Sequence, residues 1–491
     1  MAVSASPRAT EGGREPAGSL VWVLALSGVV VALMQTMVIP LVADLPRLLD
    51  ASAADSTWVI TATLLAGAVA TPVTGRLGDM YGKRRMLLAS LALLVAGSVV
   101  SALSDSLLPM VAGRTLQGLA AGVIPLGISI MRDELPADRL GTATALMSAS
   151  LGIGGALGLP IAAFLAEHAD WHVLFWGAAG IGVLATVLVA TLVPASRNPT
   201  GGRFDLPGAV GLSTALMCLL LAISKGAAWG WGSALTVGLF CASAAVLALW
   251  GWWELRTPQP LVDLRTTVRR QVLLTNIASA VFGFAMFAMS LVLPQILQLP
   301  KSTGYGLGTS MVTVGLVMGP SGLVMMAVAP LSARISRTRG PKVTLMAGAV
   351  VVAAGYGLGI ALMSAVWQLV LVSSVIGAGI GLAYGAMPAL IMAAVPVSET
   401  ATANSFNTLM RSIGTSVSSA VAGVVLAQMT VSLGPVAVPS QDGFRLVMAI
   451  GVGAALAALA IAAFLPGAHR NSPAPSQPAP KPAPATAPTE G

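Results

Sequence analysis

The feature that most constrains this chain is a series of apolar stretches, each about 20 residues long, which recurs along nearly its whole length. A helix rises about 1.5 Å per residue, so a stretch of this length crosses the roughly 30 Å hydrocarbon core of a bilayer. Backbone amides in lipid must pair within their own segment, and the mixture of Leu, Val, Ala, Met and Gly shows no strict alternation. The sequence therefore predicts an all-α polytopic membrane protein rather than a β-barrel.

The composition agrees with this prediction. Of the 491 residues, 56% are hydrophobic and 9% are charged, whereas a soluble domain is about 25% charged. The net charge of +8 comes from basic residues in short segments between apolar runs, so it does not indicate nucleic-acid binding. Cys218 and Cys241 lie inside apolar runs, where we expect packing residues and no disulfide or metal cluster.

Apolar runs bounded by charge, Pro or Gly predict fourteen spans in three groups. Residues 19–194 are predicted to form an N-terminal six-helix bundle, residues 195–271 a linker with two extra spans, and residues 272–466 a C-terminal six-helix bundle. Residues 1–18 and the Pro/Ala-rich residues 467–491 are predicted to be tails, the second disordered. The predicted spans lie near 19–42, 57–78, 86–104, 108–131, 141–166, 172–194, 208–225, 234–254, 272–298, 308–333, 342–364, 367–394, 402–430 and 443–466.

The basic residues predict the orientation of these spans. An N-terminus on the inside places most Lys and Arg in cytoplasmic loops and leaves only Arg47, Lys225, Lys301 and Arg445 outside. No small-residue cleavage site follows the first run, so we expect it to stay as a span. We therefore predict a multi-pass protein of the cell membrane with both termini in the cytoplasm.

An internal repeat supports the count of spans. The stretch TPVTGRLGDMYGKRRML from Thr71 recurs in degraded form as APLSARISRTRGPKVTL from Ala329, 258 residues later. Transporter folds are commonly built from duplicated halves, and this offset leaves room for two spans between them. Chance similarity among Gly-rich apolar helices would not explain a basic loop at the same place in both halves. The matched pairs are Pro72 with Pro330, Arg76 with Arg334, Gly82 with Gly340, and Leu87 with Leu345.

The loop between the second and third spans, GRLGDMYGKRR from Gly75 to Arg85, carries the most specific motif. Its glycines permit close helix approach and a tight turn. At the membrane boundary, Asp79 can accept bonds from a neighbouring helix N-terminus or a basic residue. The loop resembles the G-x-L-a-D-r-x-G-r-k-r loop of the major facilitator superfamily, which implies two six-helix bundles that rock against each other.

The resemblance also implies that this loop is a conformational latch; the alternative is a simple positively charged anchor. In the second half Arg337 stands at the Asp79 position, so a latch there must be weaker or built differently. The latch residues implied are Gly75, Gly78, Asp79, Gly82, Lys83, Arg84 and Arg85.

An arginine stands inside the fourth span, in the segment RTLQG. Because an intramembrane arginine costs several kcal/mol, Arg114 is a functional candidate. The segment resembles the R-x-x-q-G motif of proton-coupled drug exporters, which implies that Arg114 senses or relays a proton with Gln117 bonded beside it. The alternative is an arginine that reaches the interface or supports a loop.

The fifth span contains the run SLGIGGALGLPIAA. Small residues at these spacings let helices touch, and Pro160 removes one amide donor and bends the helix. The run resembles the Gly-and-Pro antiporter motif of exporters through Gly154, Gly158 and Pro160, although Leu159 separates the last two. A generic packing helix is the alternative.

One departure from the family bears on coupling. Close relatives with fourteen helices usually carry an aspartate in the first span, two residues before a threonine, where this chain has Met34 before Thr36. No acidic residue lies in the middle of a predicted span, so Asp44, Asp133 and Glu134 are the nearest substitutes as proton carriers. A carrier needs a titratable group whose affinity changes between states, and a cationic substrate would lack its counter-ion.

Polar groups inside the spans are candidates for lining a substrate cavity, although each is more often a bond between helices. Methionines such as Met286 and Met289 suit a pliable apolar pocket. The cavity candidates are Gln35, Thr36, Asn276, Gln295, Asn404, Asn407 and Arg411.

Taken together, the resemblance implies a secondary transporter of the fourteen-helix drug:proton antiporter branch. We expect export of small lipophilic molecules such as drugs or antibiotics, with protons as the coupling ion, by a monomer in the lipid bilayer. An exporter or facilitator of a specific metabolite or lipid-like compound without proton coupling is the first alternative, and a membrane sensor or scaffold the second. An enzyme is least expected, since three histidines and no central carboxylate pair offer no catalytic set, and no cofactor or metal is implied.

Overall fold

The computed structural model describes residues 17–41, 44–196, 201–433 and 436–466. The predicted tails, 1–18 and 467–491, therefore lie outside the described residues except for the last two positions of the first. Within the described part, fourteen helices are long and apolar enough to cross a membrane. They are α1 (Ala17–Thr36), α2 (Trp58–Tyr81), α3 (Lys83–Ala102), α4 (Leu107–Glu134), α5 (Ala137–His168), α6 (His172–Leu192), α7 (Leu206–Trp229), α8 (Ala234–Arg256), α9 (Arg270–Gln298), α10 (Met311–Arg339), α11 (Pro341–Ala361), α12 (Val366–Met392), α13 (Thr400–Gln428) and α14 (Gln441–Ala463).

The helices match the predicted spans within a few residues, and the larger differences have local causes. Helix α1 ends at Thr36 although the apolar run continues to residue 42, because Pro40 has no amide hydrogen with which to extend the helix. Helix α10 continues through its basic residues to Arg339, beyond the end of the apolar run. In α4, the turn Leu119–Gly122 is a 3-10 turn just before Pro125, which removes one intrahelical bond.

Shorter elements connect the long helices. Most of them cap or join helices at the two ends of the molecule. They are the helical turns Leu45–Leu48, Ala53–Ser56 and Leu264–Thr267, and the 3-10 turns Ile39–Leu41, Lys301–Thr303 and Val397–Glu399.

An antiparallel hairpin is the exception to an all-helical structure. It joins α13 to α14 through β1 (Thr430–Leu433) and β2 (Val436–Pro439), with Thr430 opposite Pro439. The span prediction ended in this segment at residue 430 and assigned no strand. The segment TVSLGPVAVP is rich in Val and contains Gly and Pro, residue types that favour turns, so its composition favours paired strands once it has left the helix.

Two bundles make up most of the molecule. Helices α1–α6 surround one apolar core and α9–α14 surround a second. The bundles meet where α5 packs along α10 and where α2 packs against α13. At the first contact a Cβ on Gly322 would lie 2.5 Å from the Cβ of Ala156, so the absence of a side chain there lets the two backbones touch.

Helices α7 and α8 lie at the periphery. Helix α7 packs against α2 and α13, whereas α8 packs mainly against α7. Lys225, which the orientation prediction placed in an outer loop, lies inside α7 with 6% of its surface exposed. Its ammonium group donates a hydrogen bond to the hydroxyl of Thr57 and lies 4.7 Å from the centre of the Trp58 ring. Burying this cation therefore ties the extra helices to the N-terminal bundle.

The internal repeat has a structural counterpart in the backbone. Gly82 between α2 and α3 and Gly340 between α10 and α11 both have positive φ angles, of 111° and 90°. Pro72 and Pro330 both lie inside the helices that precede these turns. Two helices joined through a single glycine thus occur at the same place in both halves.

Candidate functional site

A cavity of about 320 Å³ lies between the two bundles, with walls from α1, α5, α9, α10 and α12. It reaches Ile39 and Gln298, which are exposed at the end of the molecule that carries β1 and β2. We call this end the hairpin end, and the opposite end, which carries the loop from Gly75 to Arg85, the latch end. The cavity therefore opens toward the hairpin end.

The cavity wall is mainly apolar, and no charged side chain of the described residues belongs to it. Flexible, polarizable methionine side chains adapt to ligands of different shapes. Such a wall suits lipophilic molecules that carry a few hydrogen-bonding groups. The methionines of the wall are Met286, Met289, Met311, Met318 and Met325, and its polar side chains are Gln35, Thr36, Ser290, Gln295, Gln298 and Ser321.

Three of the seven predicted cavity residues, Gln35, Thr36 and Gln295, line this cavity. The hydroxyl of Thr36 lies 3.4 Å from the carbonyl oxygen of Gly154, so this side chain also joins α1 to α5. Gln295 also lines a second space. Together with Leu291 it forms part of the wall of an adjacent groove of about 530 Å³ between α9, α13 and the hairpin.

The other four predicted cavity residues lie elsewhere. Asn407 donates to the side-chain oxygen of Asn276 at 2.9 Å and accepts from Ser279 at 3.0 Å, so these groups join α9 to α13. Asn404 donates to the carbonyl oxygen of Thr400 in its own helix at 2.9 Å. In this conformation Asn276 and Asn407 hold two helices together, whereas Asn404 bonds within its own helix, and the contact of these residues with a substrate stays a prediction.

Arg411 lies behind the cavity wall. Its guanidinium carbon is 4.8 Å from the centre of the Tyr384 ring, and the Tyr384 hydroxyl donates to the sulfur of Met286 at 3.8 Å. Since Met286 lines the cavity, one aromatic ring separates this cation from the apolar wall.

At the latch end, Asp79 joins the two bundles. Its carboxylate accepts hydrogen bonds from the backbone amides of Ala401 at 3.2 Å and Thr402 at 2.9 Å, and from the Thr402 hydroxyl at 2.8 Å. These donors are at the N-terminus of α13, where the helix dipole favours a negative charge. Asp79 is only 3% exposed, so this contact between the bundles is buried.

The glycines of the latch loop let α2 approach closely enough for these bonds. A Cβ on Gly75 would lie 2.9 Å from the Ala401 carbonyl oxygen, and a Cβ on Gly78 would lie 2.5 Å from a methyl group of Leu126. Gly82 has a φ angle of 111°, which side-chain-bearing residues rarely adopt.

The basic residues of the loop have different surroundings. Lys83 forms an ion pair with Asp133 at 2.7 Å, which anchors the loop to α4. Arg84 donates to the carbonyl oxygen of Ala190 at 2.5 Å, whereas Arg85 is exposed. Two of the three cations therefore hold the loop within its own bundle.

Arg132 is a further link between the bundles, although from the sequence it was only one of the many basic residues predicted on the cytoplasmic side. Its guanidinium group donates to the hydroxyl of Thr400 at 2.5 Å and to the carbonyl oxygens of Met392 at 2.8 Å and Val395 at 3.1 Å. A basic residue directly before the acidic pair Asp133–Glu134 at a span end was the available signal.

Arg114 is 1% exposed and is bonded to neutral oxygens. Its guanidinium group donates to the carbonyl oxygen of Met34 at 2.9 Å and to the side-chain oxygen of Gln117 at 2.7 Å. Gln117 in turn donates to Ser98 at 2.8 Å. The Arg114–Gln117 contact is the one that the motif suggested, and on α1 the partner of Arg114 is the backbone carbonyl of Met34.

The acidic candidates lie away from the cavity. Asp44 is exposed and pairs with Arg47 at 3.4 Å, Asp133 holds Lys83, and Glu134 is half-buried at the end of α4. Proton carriage by these three groups therefore stays a prediction without support from the cavity geometry.

The antiporter-like residues of α5 face two different partners. A Cβ on Gly154 would lie 2.8 Å from the backbone nitrogen of Leu33, and one on Gly158 would meet the side chain of Thr36, so both glycines pack on α1. Pro160 faces α10, where a Cβ on Gly315 would lie 2.6 Å from the proline nitrogen. The segment thus packs both within its bundle and across the interface.

Comparison with known proteins agrees with this architecture. The sequence profile described as Major Facilitator Superfamily matches residues 24–419. Two solved structures share the fold at 15% sequence identity. The human organic anion transporter MFSD10 (TETRAN) gives a TM-score of 0.64 over 91% of this chain and 100% of its own. The proton:xylose symporter XylE gives 0.61 over 92% and 96%.

Relatives with curated names include bacterial resistance and export proteins. The Tetracenomycin C resistance and export protein of Streptomyces glaucescens is 28% identical over 466 residues, 91% of this chain and 83% of the relative. The Multidrug resistance protein Stp of Mycobacterium tuberculosis is 28% identical over 75% of this chain and 68% of its own. An uncharacterized MFS-type transporter of the same species is also 28% identical over 83% of this chain, which spans 59% of that relative's length.

Proposed function

The chain belongs to the major facilitator superfamily, and from that premise we propose that it exports small lipophilic molecules by alternating access in exchange for protons. Family and fold make it a multi-pass membrane transporter rather than an enzyme. The observation that supports the substrate class is the methionine-lined cavity, which has no charged side chain among its described residues. The relatives named for multidrug resistance and for tetracenomycin C export support the same class.

The proposed cycle starts from the conformation seen here. We assign the latch end to the cytoplasm because the basic residues concentrate there, and both termini with it. The cavity then opens outward, while Asp79 and Arg132 hold the cytoplasmic side closed. Release of these bonds would let the bundles rock and expose the cavity to the cytoplasm. We propose that a monomer in the cell membrane carries out this cycle.

A second candidate is an exporter or facilitator of a specific metabolite or lipid-like compound without proton coupling. The observation that favours it is the bonding of Arg114 to the Met34 carbonyl and the Gln117 amide. The guanidinium group of Arg114 is bonded to neutral oxygens, and these bonds involve no carboxylate that a proton could neutralise.

Reconstituted vesicles would separate the two candidates. Vesicles that contain the purified protein, vesicles that contain its Arg114→Ala variant, and protein-free vesicles would be prepared. All three would be loaded with lipophilic fluorescent dyes under an imposed pH gradient. We expect dye flux that follows the gradient in direction and collapses with a protonophore. Flux that does not depend on the gradient would rule out proton exchange. Absence of flux for every dye would favour the second candidate, transport of a specific metabolite or lipid-like compound.

Cysteine labelling would test the orientation. In a background lacking Cys218 and Cys241, single cysteines at Arg85 and at Thr430 would be treated with an impermeant reagent on intact cells. Both positions are exposed, at the latch end and the hairpin end respectively. We expect labelling at position 430 only, and labelling of position 85 from outside would reverse the proposed topology.

A further inference from the structure

Two buried carboxylates lie at the latch end of the peripheral helices, outside the cavity and the latch. Asp205 stands directly before α7 and is 7% exposed, and Glu254 lies near the end of α8 and is 2% exposed. The segment that follows α8 covers them, with Leu261 and Val262 at 0% and 2% exposed. The pair thus sits where the connection between the two bundles docks on the extra helices.

The two carboxylates are neighbours. A Cβ placed on Gly208 would contact the Oδ2 atom of Asp205 and would lie 2.7 Å from the Oε1 atom of Glu254. The Oδ1 atom of Asp205 accepts from the Gly208 amide at 2.9 Å and the Trp253 indole at 3.0 Å. The Oδ2 atom of Asp205 has no hydrogen-bond partner among the described residues, and neither oxygen of Glu254 has one with good hydrogen-bond geometry.

No cation compensates the pair within the described chain. The charged group that acts on Glu254 is Asp205 itself, and the other groups that face it are the amides of Leu261 and Val262 and the indole of Trp250. The indole of Trp250, a residue only 8% exposed, faces Glu254 without forming a hydrogen bond of good geometry in the described part.

The neighbouring arginines are engaged elsewhere or exposed. Arg256 stacks on the Trp252 ring at 4.1 Å, and Arg265 donates to the Leu255 carbonyl oxygen at 3.0 Å. Arg203 is exposed, and Asp263 accepts from the amide of Arg265 at the start of the next helical turn.

Two ionised carboxylates that lie close together and are shielded from water repel each other and lose their hydration, so one of them keeps a proton. A metal ion would relieve the repulsion as well, but it needs more ligands than two side chains. Among the described residues no group of three or more His, Cys, Asp or Glu could hold one. The arrangement therefore suits a proton better than a metal ion.

We propose that Glu254 holds one proton at neutral pH beside the carboxyl group of Asp205, and that this proton-binding site fastens the connection between the bundles to α7 and α8. The proton comes from water at the latch end and stays on Glu254 without a covalent change elsewhere. The site does not depend on the substrate or on proton exchange, since it lies outside the cavity.

Loss of the proton would loosen this junction. Two negative charges would push Glu254 away from Asp205 and disturb the segment around Leu261 and Val262. That connection continues into the C-terminal bundle, where Arg269 donates to the Ala394 carbonyl oxygen at 3.2 Å and Gln271 donates to that of Leu390 at 2.7 Å. A change of pH on the latch side would thus reach the region where α12 meets α13.

Infrared spectroscopy of the purified full-length protein tests the bound proton directly. We expect a carbonyl band of a protonated carboxylic acid at neutral pH that shifts in heavy water and disappears as the pH is raised toward about 9, near the upper range for buried acids. The Glu254→Gln variant should lack the band. In Asp205→Asn the band should disappear at a lower pH than in the wild type, because the neighbouring negative charge that favours the protonated form is gone. The exposed Asp138→Asn variant should match the wild type.

Two results would overturn the proposal. One is a wild-type spectrum without any acid band between about pH 5 and pH 9, the range in which such a pair should change its protonation; this reading does not require a folded variant. The other is a change of the band or of thermal stability on treatment with a metal chelator, which would assign the pair to a cation. Hydrogen exchange at residues 257–264 is a third measurement. After correction for pH, the exchange rate should rise over the pH range in which the band disappears. In Glu254→Gln the corrected rate should stay constant.

Discussion

Single glycines set how closely the two bundles approach. Gly322 and Gly315 face the backbone of α5 across the interface, so even a methyl group there has no space. At Gly357, by contrast, an added Cβ meets nothing within 4 Å. The same substitution therefore has opposite consequences at two helical positions.

We expect Gly322→Ala to destabilise the protein by about 1–3 kcal/mol, because the added methyl group forces α5 and α10 apart. Gly357→Ala is the matched control and should be neutral or slightly stabilising, since alanine favours the helix by about 0.5–1 kcal/mol. Thermal unfolding of both variants in the same detergent measures the difference. Equal melting temperatures would contradict the packing seen at the interface.

Gln295 is the polar side chain shared by the cavity and the adjacent groove. Replacing it with leucine keeps the volume and removes one hydrogen-bonding group, so affinity for dyes that carry such groups should fall by about 2- to 10-fold. Affinity for purely apolar dyes should hold or rise. Equilibrium binding by fluorescence is the measurement, and Gln428→Leu, an exposed position outside both linings, is the control. A uniform loss for all dyes would argue against the proposed role.

At the scale of elements, one side chain joins the hairpin of β1 and β2 to the helices below it. The hydroxyl of Tyr305 donates to the carbonyl oxygen of Pro439, and its ring packs against Phe444. Burial raises the pKa of Tyr305, so the hydroxyl keeps its proton and remains the donor at physiological pH.

Tyr305→Phe should therefore release the hairpin without unfolding the bundle. We expect faster hydrogen exchange at the strand amides of residues 430–439 and unchanged exchange within α9 and α14. Tyr81→Phe provides the comparison, because Tyr81 is exposed and its ring lies at the other end. Exchange that is unaltered in the hairpin would show that strand pairing alone positions it.

At the scale of the whole molecule, the closed latch end depends on a few bonds between the bundles. Hydrogen bonds to a charged group contribute about 1.5–3 kcal/mol. Asp79→Asn removes the charge and should shift the population toward states open at the latch end by about tenfold or more. Thr402→Val should produce a smaller shift, since it removes one of the three bonds.

Spin-label distances would measure this shift. Label pairs at Ala195 and Arg339 at the latch end, and at Leu103 and Ser302 at the hairpin end, are exposed and lie in opposite bundles. We expect the first distance to lengthen and the second to shorten in Asp79→Asn, with no change in the exposed Asp138→Asn. If the latch-end distance stayed fixed, the loop from Gly75 to Arg85 would be a positively charged anchor and not a conformational latch.

Much of the architecture could be predicted because the bilayer imposes it on the sequence. Apolar runs of helical length predicted the fourteen helices, and the repeated Gly82 and Gly340 positions predicted paired turns in both halves. The motif around Asp79 indicated a carboxylate at a boundary that could accept bonds from a helix N-terminus. These features are local, so neighbouring residues in the chain are enough to reveal them.

The sequence by itself determined which segments cross the membrane and which short motifs stand at their ends, because hydrophobic length and turn chemistry act over a few residues. Only the tertiary structure decided that Asp79 meets the amides of Ala401 and Thr402, that Arg132 reaches Met392, and that Asp205 and Glu254 are neighbours. It also decided that Gln35 and Gln295 line the cavity whereas Asn276 and Asn407 bind each other. Such contacts join residues far apart in the chain, and helical rotation and packing, which an apolar run does not specify, determine which faces meet.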